Sequence, residues 1–315
     1  MTTLLRPSGM TPAQAEVQSQ VLEIPRSNGR PLVVPKEGGK PTALTRVTTF
    51  VDALEDKSSL AKWYKRMVMV GAAKEPRLLN RVMELLGDLT GNRDELNALA
   101  ERLMQISGAN DKREDGTRLH LLSEYIDRGE ALPADITEQD RADMLAYQMA
   151  TIDFDVLAVE QSCVNAELST QGTTDRILWY GGLDPDGEPA GNLIGDLKTG
   201  TVDYGALKMA MQLAVYSRSE KYDWRMFPVD TSDKREFAAW KKREVPAEEA
   251  AKAYSPLPPV NQNWGVIINL PAGSGECTVY WVDLKIGYES AQLAQRVRVA
   301  RNLGRRALRP FALAA

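Results

Sequence analysis

The chain has 315 residues, of which 43% are hydrophobic and 26% charged, and a net charge of −4. These values exclude a disordered or fibrous chain and describe a globular protein long enough to bury a sizeable core. No stretch reaches the roughly 18 apolar residues of a membrane span, Met1–Pro7 lacks the pattern of a signal peptide, and two cysteines are too few for a four-cysteine zinc or iron–sulfur site. A cytoplasmic protein with no membrane partner is expected, its Cys163 and Cys277 read as buried free thiols.

In chain order, residues 1 to about 42 are rich in Pro, Gly, Ser and Gln without a sustained period, which predicts a flexible arm. From about 43 to 150 the apolar residues recur at helical steps, as in Val51, Leu54, Leu60, Trp63, Met67 and Val70, then Leu78, Val82, Leu85 and Leu86. A second domain, 151–315, begins with strand-like sequence. Strands are predicted over Phe154–Cys163, Gly172–Tyr180 and Leu193–Leu197, the last two separated by the turn-rich Gly181–Gly187. An amphipathic helix follows over Tyr204–Ser219, with Leu207, Met211, Ala214 and Val215 on its apolar face. The charged, Pro-containing stretch at about 221–262 reads as an insertion. A hairpin is predicted from Val266–Leu270 and Cys277–Leu284, and a basic helix closes the chain. The overall class is α/β.

Three acid-x-Lys tripeptides occur: Glu55-Asp56-Lys57, Asp196-Leu197-Lys198 and Asp283-Leu284-Lys285. The first belongs to a charged helix face. The third follows a strand but has no upstream acid to match it. The middle one differs, because Asp175 stands 21 residues ahead of Asp196 on the preceding predicted strand, and Gly195 and Gly200 flank it. Side chains alternate along a strand, so Asp196 and Lys198 share a face. If Asp175 faces them, two carboxylates converge, and at 4 Å their repulsion is about 4 kcal/mol at an effective dielectric near 20. Such a pair is relieved by a shared proton, a neighbouring base or a bound cation. Oxygen ligation favours Mg²⁺ or Mn²⁺, and Lys198 would then orient or deprotonate an attacking water. The plainer reading is a salt bridge between Lys198 and an aspartate at a strand end.

Further residues fit the same site. His120 is the single histidine and would add a nitrogen ligand if the helical region folds back over the sheet. Gln212 and Tyr216, four residues apart, share one helix face. Glu160 and Glu167 lie on or beside the strand before Asp175 and read as solvated edge positions. Between Gln292 and Pro310 there are six arginines and no acid. Among them Arg298, Arg301 and Arg305 line one helix face, either as an ordinary amphipathic helix or as a phosphate-tracking stripe.

The ordered set Gly116-Thr117-x-x-His120, Gly172-x-x-Asp175, Gly195-Asp196-Leu197-Lys198-Thr199-Gly200 and Gln212-x-x-x-Tyr216 resembles the RecB-type branch of the PD-(D/E)XK nuclease superfamily. The compact size and N-terminal helical segment are also similar to exonucleases carried by actinobacterial phages. The resemblance implies a restriction-endonuclease-like core, with a central mixed sheet flanked by helices and an N-terminal helical region beside it. It implies His120, Asp175 and Asp196 as ligands of Mg²⁺ or Mn²⁺, the Leu197 carbonyl as a fourth, and Lys198 as the catalytic lysine. Gln212 and Tyr216 would support the lysine or the DNA. The chain lacks the four cysteines of the CRISPR-adaptation branch, so no iron–sulfur cluster is expected, and it has no P-loop for a fused motor. The implied activity is metal-dependent DNA hydrolysis, as an exonuclease in recombination, repair or phage replication. A single-strand annealing or other recombination protein would be a partner, in the host cytoplasm for a phage gene. The alternative is a non-catalytic DNA-binding accessory protein on the same scaffold.

Overall fold

A computed structural model describes residues 24–109, 111–304 and 306–308. The chain divides into two compact units, one combining the N-terminal residues through Arg46 with Glu220–Pro256, the other combining Val47–Ser219 with the residues from Leu257 onward. In the smaller unit β1 (Arg26–Ser27), β2 (Arg30–Val33) and β3 (Thr42–Ala43) form an antiparallel sheet in that order, and β4 (Thr45–Arg46) follows. Residues 24–42 are therefore not a flexible arm as predicted. The rest of that segment, residues 1–23, lies outside the described residues.

The larger unit opens with helices α1 (Val47–Val51), α2 (Ser58–Lys74), α3 (Arg77–Leu85), α4 (Arg93–Ser107), α5 (Asp111–Asp127) and α6 (Glu138–Ala150). The helical region is as predicted, but its apolar residues are not all core. Leu60, Val70 and Leu86 are exposed, whereas Leu85 and Leu103 are buried. Thr137 and Asp140 close a reciprocal capping box at the start of α6. Strands β5 (Phe154–Asn165), β6 (Thr170–Leu183) and β7 (Pro189–Lys198) then form an antiparallel meander. At their shared turn β6 and β7 run past the predicted ends, because Asp184 organises a tight turn, its side chain accepting from the amides of Asp186 and Glu188, with Gly187 at φ 85°. Helix α7 (Ala206–Ser217) is buried almost all round, although Leu207, assigned to its apolar face, is exposed.

The predicted insertion belongs to the smaller unit. It contains β8 (Glu220–Tyr222), α8 (Lys234–Trp240), α9 (Ala247–Ala250) and β9 (Tyr254–Pro256), with β8 and β9 antiparallel. There the Val34 amide donates to the Tyr222 hydroxyl and the Tyr254 hydroxyl donates to the Val34 carbonyl. Gly39 bridges to Val245 in the same unit. An N-terminal segment and a late segment, read apart as arm and insertion, thus complete one unit by satisfying each other's backbone groups.

The larger unit resumes with β10 (Trp264–Asn269), β11 (Thr278–Asp283) and α10 (Leu284–Gly304). Its strands run in the order β11-β10-β7-β6-β5, with β10 parallel to β7 and the other neighbours antiparallel. The result is an α/β fold with a mixed sheet. One sheet face packs Ile177, Ile194 and Ile267 against α1, α7 and α10. The other packs Leu178, Leu193, Leu197 and Val266 against Leu119, Leu122, Met144 and Tyr147 of α5 and α6. Gly287 lets α10 approach α7 closely, since a Cβ there would lie 2.2 Å from the Ala210 carbonyl oxygen. Cys163 is buried and Cys277 half-buried, both as free thiols. No helix among the described residues is long and apolar enough to cross a membrane.

A buried polar cluster pins α5 and α6 to β6. The Arg176 guanidinium is 1% exposed and pairs with Asp127 at 2.7 Å. It also donates to the Tyr147 hydroxyl and to Ser123, while Tyr147 donates to the second Asp127 oxygen. Leaving a buried charge unpaired costs about 3–5 kcal/mol. Arg176→Met should therefore lower stability by about that amount in urea denaturation, and adding Asp127→Asn should recover part of the loss. Equal losses in the single and double variants would contradict the pairing.

Candidate active site

The β6–β7 ladder pairs Arg176 with Gly195 as its last register at this end. One step beyond, Asp175 and Asp196 stand side by side. Asp175 replaces the missing ladder bond with its side chain, Oδ2 accepting from the Leu197 amide at 3.0 Å. Groups from both helical layers converge on this point. From α5, His120 Nδ1 lies 3.5 Å from Asp175 Oδ2. From α7, Gln212 Nε2 donates to Asp196 Oδ1 at 3.0 Å. Lys198, two residues along the same strand face, forms an ion pair with Asp196 Oδ2, although that buried oxygen has no well-directed hydrogen bond.

Two motif glycines are explained by this convergence. A Cβ on Gly116 would come 2.7 Å from Thr199 Oγ1, so glycine lets α5 reach the end of β7. A Cβ on Gly172 would come 2.6 Å from the Tyr216 hydroxyl, so glycine makes room for that ring under β6. Tyr216 is 2% exposed. Burial, and then the charges of Asp196 and Asp175, hold its hydroxyl protonated well above the usual range.

The electrostatics follow from burial and like charge. Burial and the nearby Asp175 push the Asp196 carboxyl up to about 6, against the lowering effect of Lys198. Burial also raises Asp175, opposed by Lys198 and Arg176. Burial lowers His120, which keeps the imidazole neutral at pH 7 with a lone pair to offer. Glu160 falls between the register pairs Val159–Arg176 and Gln161–Thr174, and so across from Asp175. Its backbone is left-handed, at φ 52°. Partial desolvation and the charges of Asp175 and Glu124 push its carboxyl up to about 7, even though it stands at an exposed rim. Glu167 instead accepts from the Tyr288 hydroxyl, at 2.6 Å.

The structure thus brings together His120, Asp175, Asp196, Leu197, Lys198, Gln212 and Tyr216. The arginines are engaged elsewhere: Arg298 lies over the Phe50 ring at 5.7 Å and Arg301 donates to the Ala53 carbonyl. Both brace α10 against the segment that includes α1, and Arg305 lies outside the described residues. The other two acid-x-Lys tripeptides have structural roles. Asp283 caps α10 by accepting from the Lys285 and Ile286 amides. Glu55 and Asp52 pair with Lys208. Sequence reasoning did not find Arg176 or Glu124. Arg176 carried a signal, as a charged residue in phase with the inward-facing Leu178. Its partners Asp127 and Tyr147 carried none, because separate helices supply them.

The donor set suits a hard divalent cation that keeps water ligands: two carboxylates, from Asp175 and Asp196, and one neutral imidazole. Among the described residues, no group of three or more His, Cys, Asp or Glu side chains is already placed to hold a metal ion. No protein-family model matches the sequence, and no curated protein matches it significantly.

The elevated Asp196 carboxyl makes a pH-dependent demand on the fold. Its folded value lies above its ordinary 3.8, so ionisation costs stability as the pH rises through about 4 to 6, and the full cost is present above 6. In chelator, Asp196→Asn should raise the melting temperature at pH 8, with the gain shrinking towards pH 4. A gain that grows on acidification would contradict the assignment.

Proposed function

We propose that the protein is a Mg²⁺- or Mn²⁺-dependent deoxyribonuclease that hydrolyses phosphodiester bonds, acting as an exonuclease. The observation that carries this reading is the juxtaposition of Asp175 and Asp196 at the open end of a ladder, with Lys198 on Asp196 and His120 on Asp175. Asp175, Asp196 and His120 would hold the cation, with the Leu197 carbonyl as a further oxygen. When bound, such a cation supplies Lewis acidity towards a phosphodiester and towards water at neutral pH.

The chain's own residues do the rest. Gln212 holds one Asp196 oxygen by donating to it, which aims the other towards Lys198. Lys198, 31% exposed, presents its amine at the boundary between the buried carboxylates and solvent. From there it can orient a water or pass a proton to a departing oxygen. Neutral His120 adds a nitrogen donor without adding positive charge. Tyr216 stays protonated beneath the site and keeps Gln212 in place. DNA is the substrate proposed for this chemistry, and a recombination protein in the same cytoplasm fits an exonuclease role.

The purified chain should degrade end-labelled DNA with Mg²⁺ or Mn²⁺ and stop in EDTA. Lys198→Ala should lose about 10²–10⁴-fold in rate, and Asp196→Ala should be inactive, both with native circular dichroism. Cation should also raise the melting temperature of the wild type but not of Asp196→Ala. Undiminished cleavage by both variants would overturn the proposal. Metal-independent DNA binding with no cleavage would instead favour the accessory-protein reading.

A further inference from the structure

The N-terminal helices carry a feature that the carboxylate site does not use. Helix α2 contains Lys62, Lys65, Arg66 and Lys74 and no acidic residue, in a chain whose net charge is −4. Two aromatic residues interrupt the cations, giving Lys62-Trp63-Tyr64-Lys65-Arg66. The two ring centroids are 5.3 Å apart, with the planes inclined at 59°. Tyr64 is 41% exposed, Trp63 is half-buried, and all three neighbouring cations are exposed. Lys65 and Arg66 form no ion pair with another described residue, and Lys62 is near enough to Asp56 for its charge to act there.

Helix α2 is pinned to α4. A Cβ on Gly71 would fall 1.9 Å from the Leu103 carbonyl oxygen, so only glycine permits this approach, and Lys74 donates to the Ser107 carbonyl. The same two helices line a cleft of about 760 Å³, with Trp63, Tyr64, Lys65 and Val68 facing Glu101 and Met104. That volume is within the range of about 300–1,000 Å³ typical of ligand sites.

We infer that this cleft is a binding station for single-stranded nucleic acid, with bases stacking on Trp63 and Tyr64 and phosphates meeting Lys62, Lys65 and Arg66. Aromatic faces accept any base, and an adjoining run of cations tracks the backbone. Duplex bases are already stacked on one another and cannot enter. Glu101 on the opposite wall is an acceptor for exocyclic base amines. An anionic bilayer suits the site less well, because it requires a continuous apolar helix face lying flat, whereas α2 is held against α4 and its aromatics line a cleft. The inference goes beyond the cleavage reading and does not rest on it, since stacking and phosphate pairing need no cation.

The test titrates the full chain, in EDTA, into labelled oligo(dT) and reads fluorescence anisotropy across a salt series. Tyr64→Ala should weaken binding roughly tenfold, and Tyr64→Phe should restore it. Lys65→Ala with Arg66→Ala should flatten the slope of log affinity against log salt by about 1.4. Melting temperatures should be unchanged in all variants. The inference is overturned by a wild type that does not bind oligo(dT), by Tyr64→Ala binding normally, or by preference for phosphatidylserine vesicles over oligonucleotide. A protein that binds but never cleaves would leave this inference standing and remove the nuclease. A protein that cleaves while Tyr64→Ala binds normally would do the reverse.

Discussion

The buried Arg176 cluster is the interaction on which the rest of the larger unit depends. Adjacent strand residues face opposite sides of a sheet, so β6 can send Arg176 into the α5–α6 layer and leave Asp175 for the site. Asp127, Tyr147 and Ser123 satisfy the guanidinium. That fixes α5 along β6 and sets the depth at which His120 meets Asp175. A hydrophobic layer alone would tolerate sliding, whereas a buried charge with directed hydrogen bonds does not. The desolvation of Arg176 is the cost of that precision.

The carboxylate pair is the opposite case. Packing has been optimised around it, with Leu197, Ile177 and Tyr216 all buried, yet the pair itself is electrostatically frustrated. Asp175 and Asp196 both have raised proton affinity, although Lys198, the Gln212 amide and His120 act on Asp196 in the opposite sense. A fold that needed merely a salt bridge would be served by one aspartate and Lys198. The second carboxylate, the neutral imidazole and the elevated Glu160 at the rim have a purpose if positive charge arrives from outside the chain.

Proximity of chemistry in sequence was a poor guide on its own. Of three acid-x-Lys tripeptides, one caps a helix and one belongs to a charged cluster around Lys208. Only Asp196-Leu197-Lys198 sits at a ladder end between two helical layers. The arginine-rich C-terminal helix teaches the same lesson, since Arg298 and Arg301 turn towards Phe50 and Ala53.

Alternation and turn chemistry were enough to read strands β5, β6 and β7, the helix after them and the final hairpin directly from the residues, but not how the three strands pair. The spacing of Asp175, Asp196, Lys198, Gln212 and Tyr216 was legible for the same reason, as strand and helix periods are local properties. The partners of Arg176, the approach of His120 to Asp175 and the left-handed Glu160 were not legible, because each depends on elements distant in sequence. The division into units was hidden too: residues 24–46 and 220–256 look like an arm and an insertion until their backbone groups are seen to satisfy one another. Local sequence determined which side chains this protein could bring to a site. Tertiary packing alone decided which of them meet, because convergence depends on where helices dock and where a ladder stops.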